Sequence, residues 1–315
     1  MPSSTNQSSS FSKRLDQMSS GLEELENWLQ DTLRQGLASL EQQPDFWKNI
    51  SARMVDAKLG AVGRRLKTIR LLIGQQENWY EQVTQEIGNI YLLIRALKNI
   101  DQLAPPLQRD VLTMSGVTVR KNELEKEGMS VTDVWMILAT SEKEEDNLRS
   151  RRTWVYGWKT KRYGLVLDFA WGRTDFTEFY TAGEVFEGTI IYYPSNSPIR
   201  VQVKDKKIIK DRPIKRIIGF AHLDAFLENY AIALAANPWL LEFPCAIQDI
   251  IPVVEGDQML LVDTNKHILP SKMGNFKQMK ILALSGGHPI NLFGEWFGKT
   301  FIPLSVSVDE RFVVL

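Results

Sequence analysis

The residues with the most obvious chemical potential lie near the end of the chain, in "SGGHPINLFGEWFGKTFIPLSVSVD" (285–309). Ser285 and His288 stand three apart beside a Gly-Gly pair, which invites a nucleophilic reading. A nucleophile elbow needs Gly two positions to each side of its Ser. Here position 287 is Gly but 283 is Ala. The stretch reads better as a turn at Gly286-Gly287 followed by a hairpin bent at Gly294 and Gly298, with Phe293, Trp296, Phe297 and Phe301 over a core. Metal chemistry has little to work with. Cys245 is the only cysteine, and His222, His267 and His288 are widely separated. That set supplies neither a disulfide framework nor a Cys-based zinc site, and no metal ligand is assigned. His222 is expected as a partly buried or capping residue of a helix over 219–236.

The acids divide into two kinds. Those of "EKEED" and "NELEKE" sit in charge-rich, surface-like runs. Asp168 and Asp263 each end an apolar strand, where an acid serves as a ligand or, more often, as a turn former. A general acid needs an apolar pocket to raise its pKa. An enzyme would have to gather Asp168, Asp263 or His288 in one such pocket. The sequence contains no GxxxxGK[ST] phosphate loop and no GxGxxG, so no cofactor, no catalytic residue and no enzymatic activity are expected.

The densest basic stretch is "KDKKIIKDRPIKR", where Lys204, Lys206, Lys207, Lys210, Arg212, Lys215 and Arg216 face only two acids. Such a segment can meet phosphates without regard to base sequence. It can equally be a solvated strand edge whose lysines block aggregation. A second basic set, Arg64, Arg65, Lys67 and Arg70, precedes Trp79 and Tyr80. Net charge gives no bias, because Lys plus Arg equals Asp plus Glu at 38 each, so attraction to nucleic acid would have to be local.

These residues need elements to position them. In 20–40 the leucines Leu22, Leu25, Leu29, Leu33, Leu37 and Leu40 form one helical stripe, with Ser20 and Glu23 as a capping box. Further amphipathic helices are expected over about 44–60, 61–74 and 77–100, with a short one to 113. Short links between them predict an antiparallel bundle. The first 18 residues are Ser-rich and read as a disordered tail. They lack the apolar core of a secretory signal, and a cytoplasmic location is the expectation. No apolar run approaches the roughly 20 residues of a membrane-spanning helix.

After 115 the pattern becomes short β-branched and aromatic runs separated by turns, as in a barrel or sandwich. "EKEEDNLRS" is expected as a charged link with a short helix, and 278–285 as a strand. The fold class is therefore α+β: a helical domain over 19–114, then a β-rich domain over 115–315 with one inserted helix. "GEVFEGTIIYYP" (183–194) and "GEWFGKTFIPL" (294–304) form a faint internal echo.

"GLEELENWLQDTLRQGLASL" followed by "FWKNISARMVDAKLGAVGRRLKTI" resembles the helical segment of bacterial SWIM zinc-finger proteins. "LRSRRTWVYG", "LVLDFA", "YYPSNSPIRVQV" and "LALSGGHPINLFGEWFGKTFIPLS" are similar to later parts of that family, in the same order. The family's CxC…CxH finger lies upstream of its helical region, and these 315 residues contain no such motif. The Ser-rich start fits either a natural beginning or a start codon placed downstream of a finger. The resemblance implies an accessory part in a multi-protein system, with an AAA ATPase or a von Willebrand factor A protein as partner. Two functions follow from the sequence: first a non-enzymatic protein-interaction module, second a nucleic-acid-binding protein using 204–216.

Overall fold

The computed structural model describes residues 4–42, 44–75, 77–145, 147–256 and 258–315. The chain forms two compact units that divide between Arg120 and Lys121.

The first unit is helical: α1 (Ser4–Gln35), α2 (Pro44–Asp56), α3 (Gly60–Leu72), α4 (Trp79–Lys98) and α5 (Pro105–Ser115). Their stripes meet in a core that includes Leu22, Leu25, Leu29, Met54, Leu66, Val83, Ile90 and Val111. Each such fully buried aliphatic side chain stabilises the unit by roughly 1.5–3 kcal/mol. Trp28 packs edge-on against Trp47. Pro105 and Pro106 start α5, where a missing N–H costs nothing. Two expectations change here. Residues 1–3 of the segment read as a tail lie outside the described residues, helix α1 runs through the rest of it from Ser4, and Met18 is buried. Ser20 is therefore interior to a helix, and its hydroxyl donates to the Asp16 carbonyl instead of capping. Low hydrophobicity concealed this continuation, because a helix already nucleated downstream can extend through polar residues at little cost. Gly36, with φ 84°, ends α1, so Leu37 and Leu40 fall in a 3₁₀ turn.

The second unit begins with α6 (Lys121–Glu127) and then builds a closed five-stranded barrel. Its strands are β1 (Met129–Glu145), β2 (Leu148–Gly157), β3 (Tyr163–Trp171), β4 (Val185–Tyr192) and β5 (Arg200–Ile208). Their order around the barrel is β1-β2-β3-β5-β4, with β3 and β5 parallel and the other pairs antiparallel. Trp135, Ile137, Val155, Val166, Phe186, Ile190 and Tyr192 fill its interior. The Trp135 indole N–H reaches the Gly188 carbonyl at 3.0 Å, so the buried ring has its partner.

Next come α7 (Leu223–Ala236), β6 (Phe243–Glu255), β7 (Gln258–Val262), β8 (Ile268–Leu269), α8 (Asn275–Ser285), β9 (Ile290–Trp296), β10 (Phe301–Val308) and β11 (Arg311–Val314). The strands form one sheet ordered β11-β10-β9-β6-β7-β8. One side of this sheet packs with Leu223, Phe226 and Ile281 of α7 and α8. Ala246, Phe293 and Leu304 of the same sheet pack against Met136, Trp154, Tyr156 and Leu165 of the barrel. The outer face of β1-β2-β3 is thus covered by the chain's own sheet.

Two strand-region readings change. The described residues of 142–150 form no helix: β1 extends to Glu145 and pairs with β2, which starts at Leu148 after Asn147 with φ 66°. Residues 278–285 are helical, so the β-rich region holds α8 as well as α7. A Lys/Met/Leu/Ala-rich segment favours helix, and Gly286 in the left-handed region closes it. The internal echo has no structural counterpart, since 185–192 is one strand whereas 294–304 spans the β9–β10 turn. Among the described residues no helix is long and apolar enough to cross a membrane.

Candidate nucleic-acid interface

The turn between β2 and β3 is fixed by one buried carboxylate. Asp133, on β1, accepts hydrogen bonds from the backbone N–H groups of Lys159 (3.1 Å) and Thr160 (2.8 Å), the Thr160 hydroxyl (2.7 Å) and the Val134 N–H (2.6 Å). Burial alone would raise its pKa. The bonds from Thr160, Lys159 and Val134 outweigh burial and hold it below the ordinary aspartate value. Gly157 opens the turn because a Cβ there would lie 2.7 Å from the Asp133 carboxylate and 2.4 Å from the Thr160 hydroxyl.

This turn carries "WKTKR" (158–162), and it projects Trp158 into solvent at 40% exposure. The Lys161 ammonium lies 4.9 Å from the indole centroid and the Arg212 guanidinium 5.4 Å. Arg212 arrives from the segment after β5. Together the turn and that segment enclose a cleft of about 400 Å³. Val134, Met136, Val185, Pro213, Ile214 and Ile218 form its apolar lining, Trp158 adds its indole, and Arg212, Lys215 and Arg216, with the one carboxylate Asp211 among them, make its charged side. Lys215 and Arg216 also line a second recess of about 290 Å³ with Asn291, Ser307 and Glu310. Most of its groups are engaged. Lys215 pairs with Glu310 at 2.9 Å, and Arg216 donates to Gln248. Ser307 and Asn291 hold the Ile217 backbone.

Of the seven basic residues singled out in 204–216, Arg212, Lys215 and Arg216 come together at the cleft. Lys210 is exposed two residues before Arg212, and Lys204 and Lys207 are exposed on β5. Lys206 is committed elsewhere: its ammonium pairs with Glu178, donates to the Phe179 carbonyl and lies 4.2 Å from the Tyr180 ring centroid. Sequence reading missed Trp158, Lys159, Lys161 and Arg162. An aromatic residue followed by three cations in five positions is a legible signal, but nothing local says that it meets 212–216. The α3 set belongs to the helical unit, where Arg65 pairs with Glu86 and Trp79 stacks on Tyr80.

The residues considered for catalysis go to separate partners. Asp168 pairs with Arg151 at 2.8 Å. Asp263 accepts from the first amide of α7, Leu223 N–H, and from Asn265 and His267 in its own turn. That turn role, rather than a side chain on the helix itself, caps α7. His222 sits at the α7 N-cap without a side-chain cap bond and contacts Thr264 instead. The Ser285 hydroxyl donates to the His288 carbonyl at the end of α8. Among the described residues, no three of His, Cys, Asp and Glu gather as a metal site would require.

The molecule is thus a helical bundle joined to a barrel-and-sheet unit that presents a cationic, aromatic cleft. Residues 13–115 match the family model of the SWIM-associated four-helix bundle domain. The chain accordingly carries the helical bundle that accompanies SWIM zinc fingers, without the finger's own motif in its 315 residues. No curated protein and no solved structure matches it.

Proposed function

We propose that this chain is a non-enzymatic accessory module of the SWIM type that binds nucleic acid through the Trp158 cleft. One observation carries the reading: an exposed indole, flanked by Lys161 and Arg212, stands at the mouth of an apolar cleft edged by Lys215 and Arg216. A ligand with a flat π face and a chain of anions matches both halves of that surface. A cation over an exposed ring is worth roughly 0.5–1 kcal/mol, whereas a stacked base is worth roughly 1–3 kcal/mol. A base can therefore displace one cation from the ring, and the displaced cation can turn to a phosphate. Five-stranded Greek-key barrels include the OB-fold, which binds oligonucleotides on its second and third strands. That likeness is an analogy of fold only, and here the corresponding face is largely covered by the chain's own sheet.

The test is fluorescence anisotropy of a labelled oligonucleotide against the full chain over a salt series. Engagement of about three phosphates gives log K a slope near −2 against log salt on a single strand. Replacing Arg212, Lys215 and Arg216 by Gln should weaken binding and flatten that slope. Absence of binding at low salt, or binding indifferent to the triple variant, overturns the proposal.

A protein partner is a second reading, favoured by Phe169 (57% exposed), Trp171 (65%) and Phe179 (75%) on and beside β3. Phe169 and Trp171 lie two apart and share one face of the strand. An AAA ATPase or a von Willebrand factor A protein, the partners expected of the family, is a candidate for this surface. Co-purification that is lost with Phe169→Ser/Trp171→Ser supports it, and retention in that variant excludes this surface.

A further inference from the structure

We infer that the cleft receives a single unpaired base, so that the nucleic acid bound there is single-stranded rather than duplex. The inference rests on the nucleic-acid reading and narrows it. Duplex grooves are read by elements that protrude into them. The surface beside Trp158 is instead concave, and its floor is Val134, Met136, Val185 and Ile214, aliphatic side chains with nothing to offer a phosphate. Its volume of about 400 Å³ is that of a small-molecule site. A volume of that order suits a base with its sugar better than a base pair still stacked in a helix.

The cations lie where a strand leaving such a base would need them. Arg212, Lys215 and Arg216 edge the cleft on one side beside Asp211, Lys215 exchanging its exposed pairing with Glu310 for a phosphate, and Lys161 flanks the indole on the turn. Preorganisation supports the same assignment. Asp133 holds the backbone of Lys159 and Thr160, so the turn that presents Trp158 is set before a ligand arrives. A patch that only attracted phosphates would work equally well on flexible side chains, and would not require an indole on a locked turn above an aliphatic floor.

The experiment compares a labelled 15-nucleotide thymidine strand with its duplex, on the full chain at one low salt concentration. Trp158→Ala and Trp158→Phe are measured alongside, with near-ultraviolet circular dichroism as the folding control. The expected result is a preference of about tenfold or more for the single strand. A loss of similar size is expected in Trp158→Ala, with most of the affinity kept in Trp158→Phe. Equal or tighter duplex binding that still depends on Arg212, Lys215 and Arg216 overturns the unpaired-base inference and leaves nucleic-acid binding standing. A folded Trp158→Ala protein with unchanged single-strand affinity also overturns it. Binding of neither probe removes both readings together.

Discussion

Removing the carboxylate of Glu295 should loosen the barrel from its covering sheet. Glu295 lies on β9, and one of its oxygens accepts three hydrogen bonds from β2. They come from Arg152 Nε at 2.9 Å, Arg152 Nη2 at 2.7 Å and Trp154 Nε1 at 2.7 Å. Arg152 also pairs with Glu242 at 3.0 Å. Burial would lower the guanidinium pKa, but Glu242 and Glu295 together raise it above its ordinary value. Breaking a buried ion pair by deleting one partner costs about 3–5 kcal/mol. Glu295→Ala belongs at the lower end, near 3 kcal/mol, because Arg152 keeps Glu242 and is partly open to water. Part of that cost is the stranded Trp154 N–H, at about 1–3 kcal/mol. Glu295→Gln retains an oxygen acceptor and should cost about 1 kcal/mol. Glu242→Ala/Glu295→Ala should exceed the sum of the single losses, since only then is the guanidinium left without a carboxylate. Native-state hydrogen exchange in β2 and β9 reads the effect directly, and 3 kcal/mol is a rate increase of about 150-fold. An increase below about fivefold in Glu295→Ala, or an equal effect of Glu295→Gln, would refute the role given to this network.

Three further outcomes are expected. Because the native Asp133 pKa is depressed, its stabilisation is full above the unfolded aspartate pKa and is lost as pH falls through the native value. Asp133→Asn should cost about 1.5–3 kcal/mol at neutral pH and flatten acid sensitivity below about pH 4, as read by urea titrations at several pH values. Gly219→Ala should destabilise by about 1–3 kcal/mol, because its Cβ would lie 2.2 Å from the Ala246 carbonyl oxygen; denaturation midpoints test this. Burial raises the Cys245 pKa well above that of a free thiol, so an aromatic disulfide reagent should react with it only on opening, and rapid native labelling would contradict that.

Legibility followed the range of the interactions involved. Helices α2 to α5 repeat apolar residues at three and four positions, and a local period is enough to place them. The hairpin at 142–150 failed because a run of Glu and Lys carries no alternation. Its strands are held by cross-strand pairing, such as Lys143 with Ser150 and Glu144 with Arg149, rather than by their own apolar faces. Helix α8 failed for the opposite reason, since "MKILALS" is short and apolar enough to suit either element. The β-region was legible as many short strands. Its closure was not, because the parallel contact of β3 with β5 rests on residues such as Leu165 and Arg200, 35 positions apart.

The basic segment shows how the fold separates residues that composition groups together. Read alone, 204–216 is a solvated strand edge, and Lys206 does behave as one, neutralised by Glu178 on the neighbouring loop. Its meaning changes where the chain leaves β5 and crosses the barrel. There Ile214 and Ile217 turn inward to pack with Met136 and Val185. That anchoring forces the intervening Lys215 and Arg216 outward, and Arg212 over the ring of Trp158. The same packing explains the location of the cleft. The outer face of β1-β2-β3 is largely occupied by Ala246, Phe293 and Leu304, and the cleft opens beside it. The β2–β3 turn and the segment after β5 meet there, and together they bring cations and an unburied indole to one place.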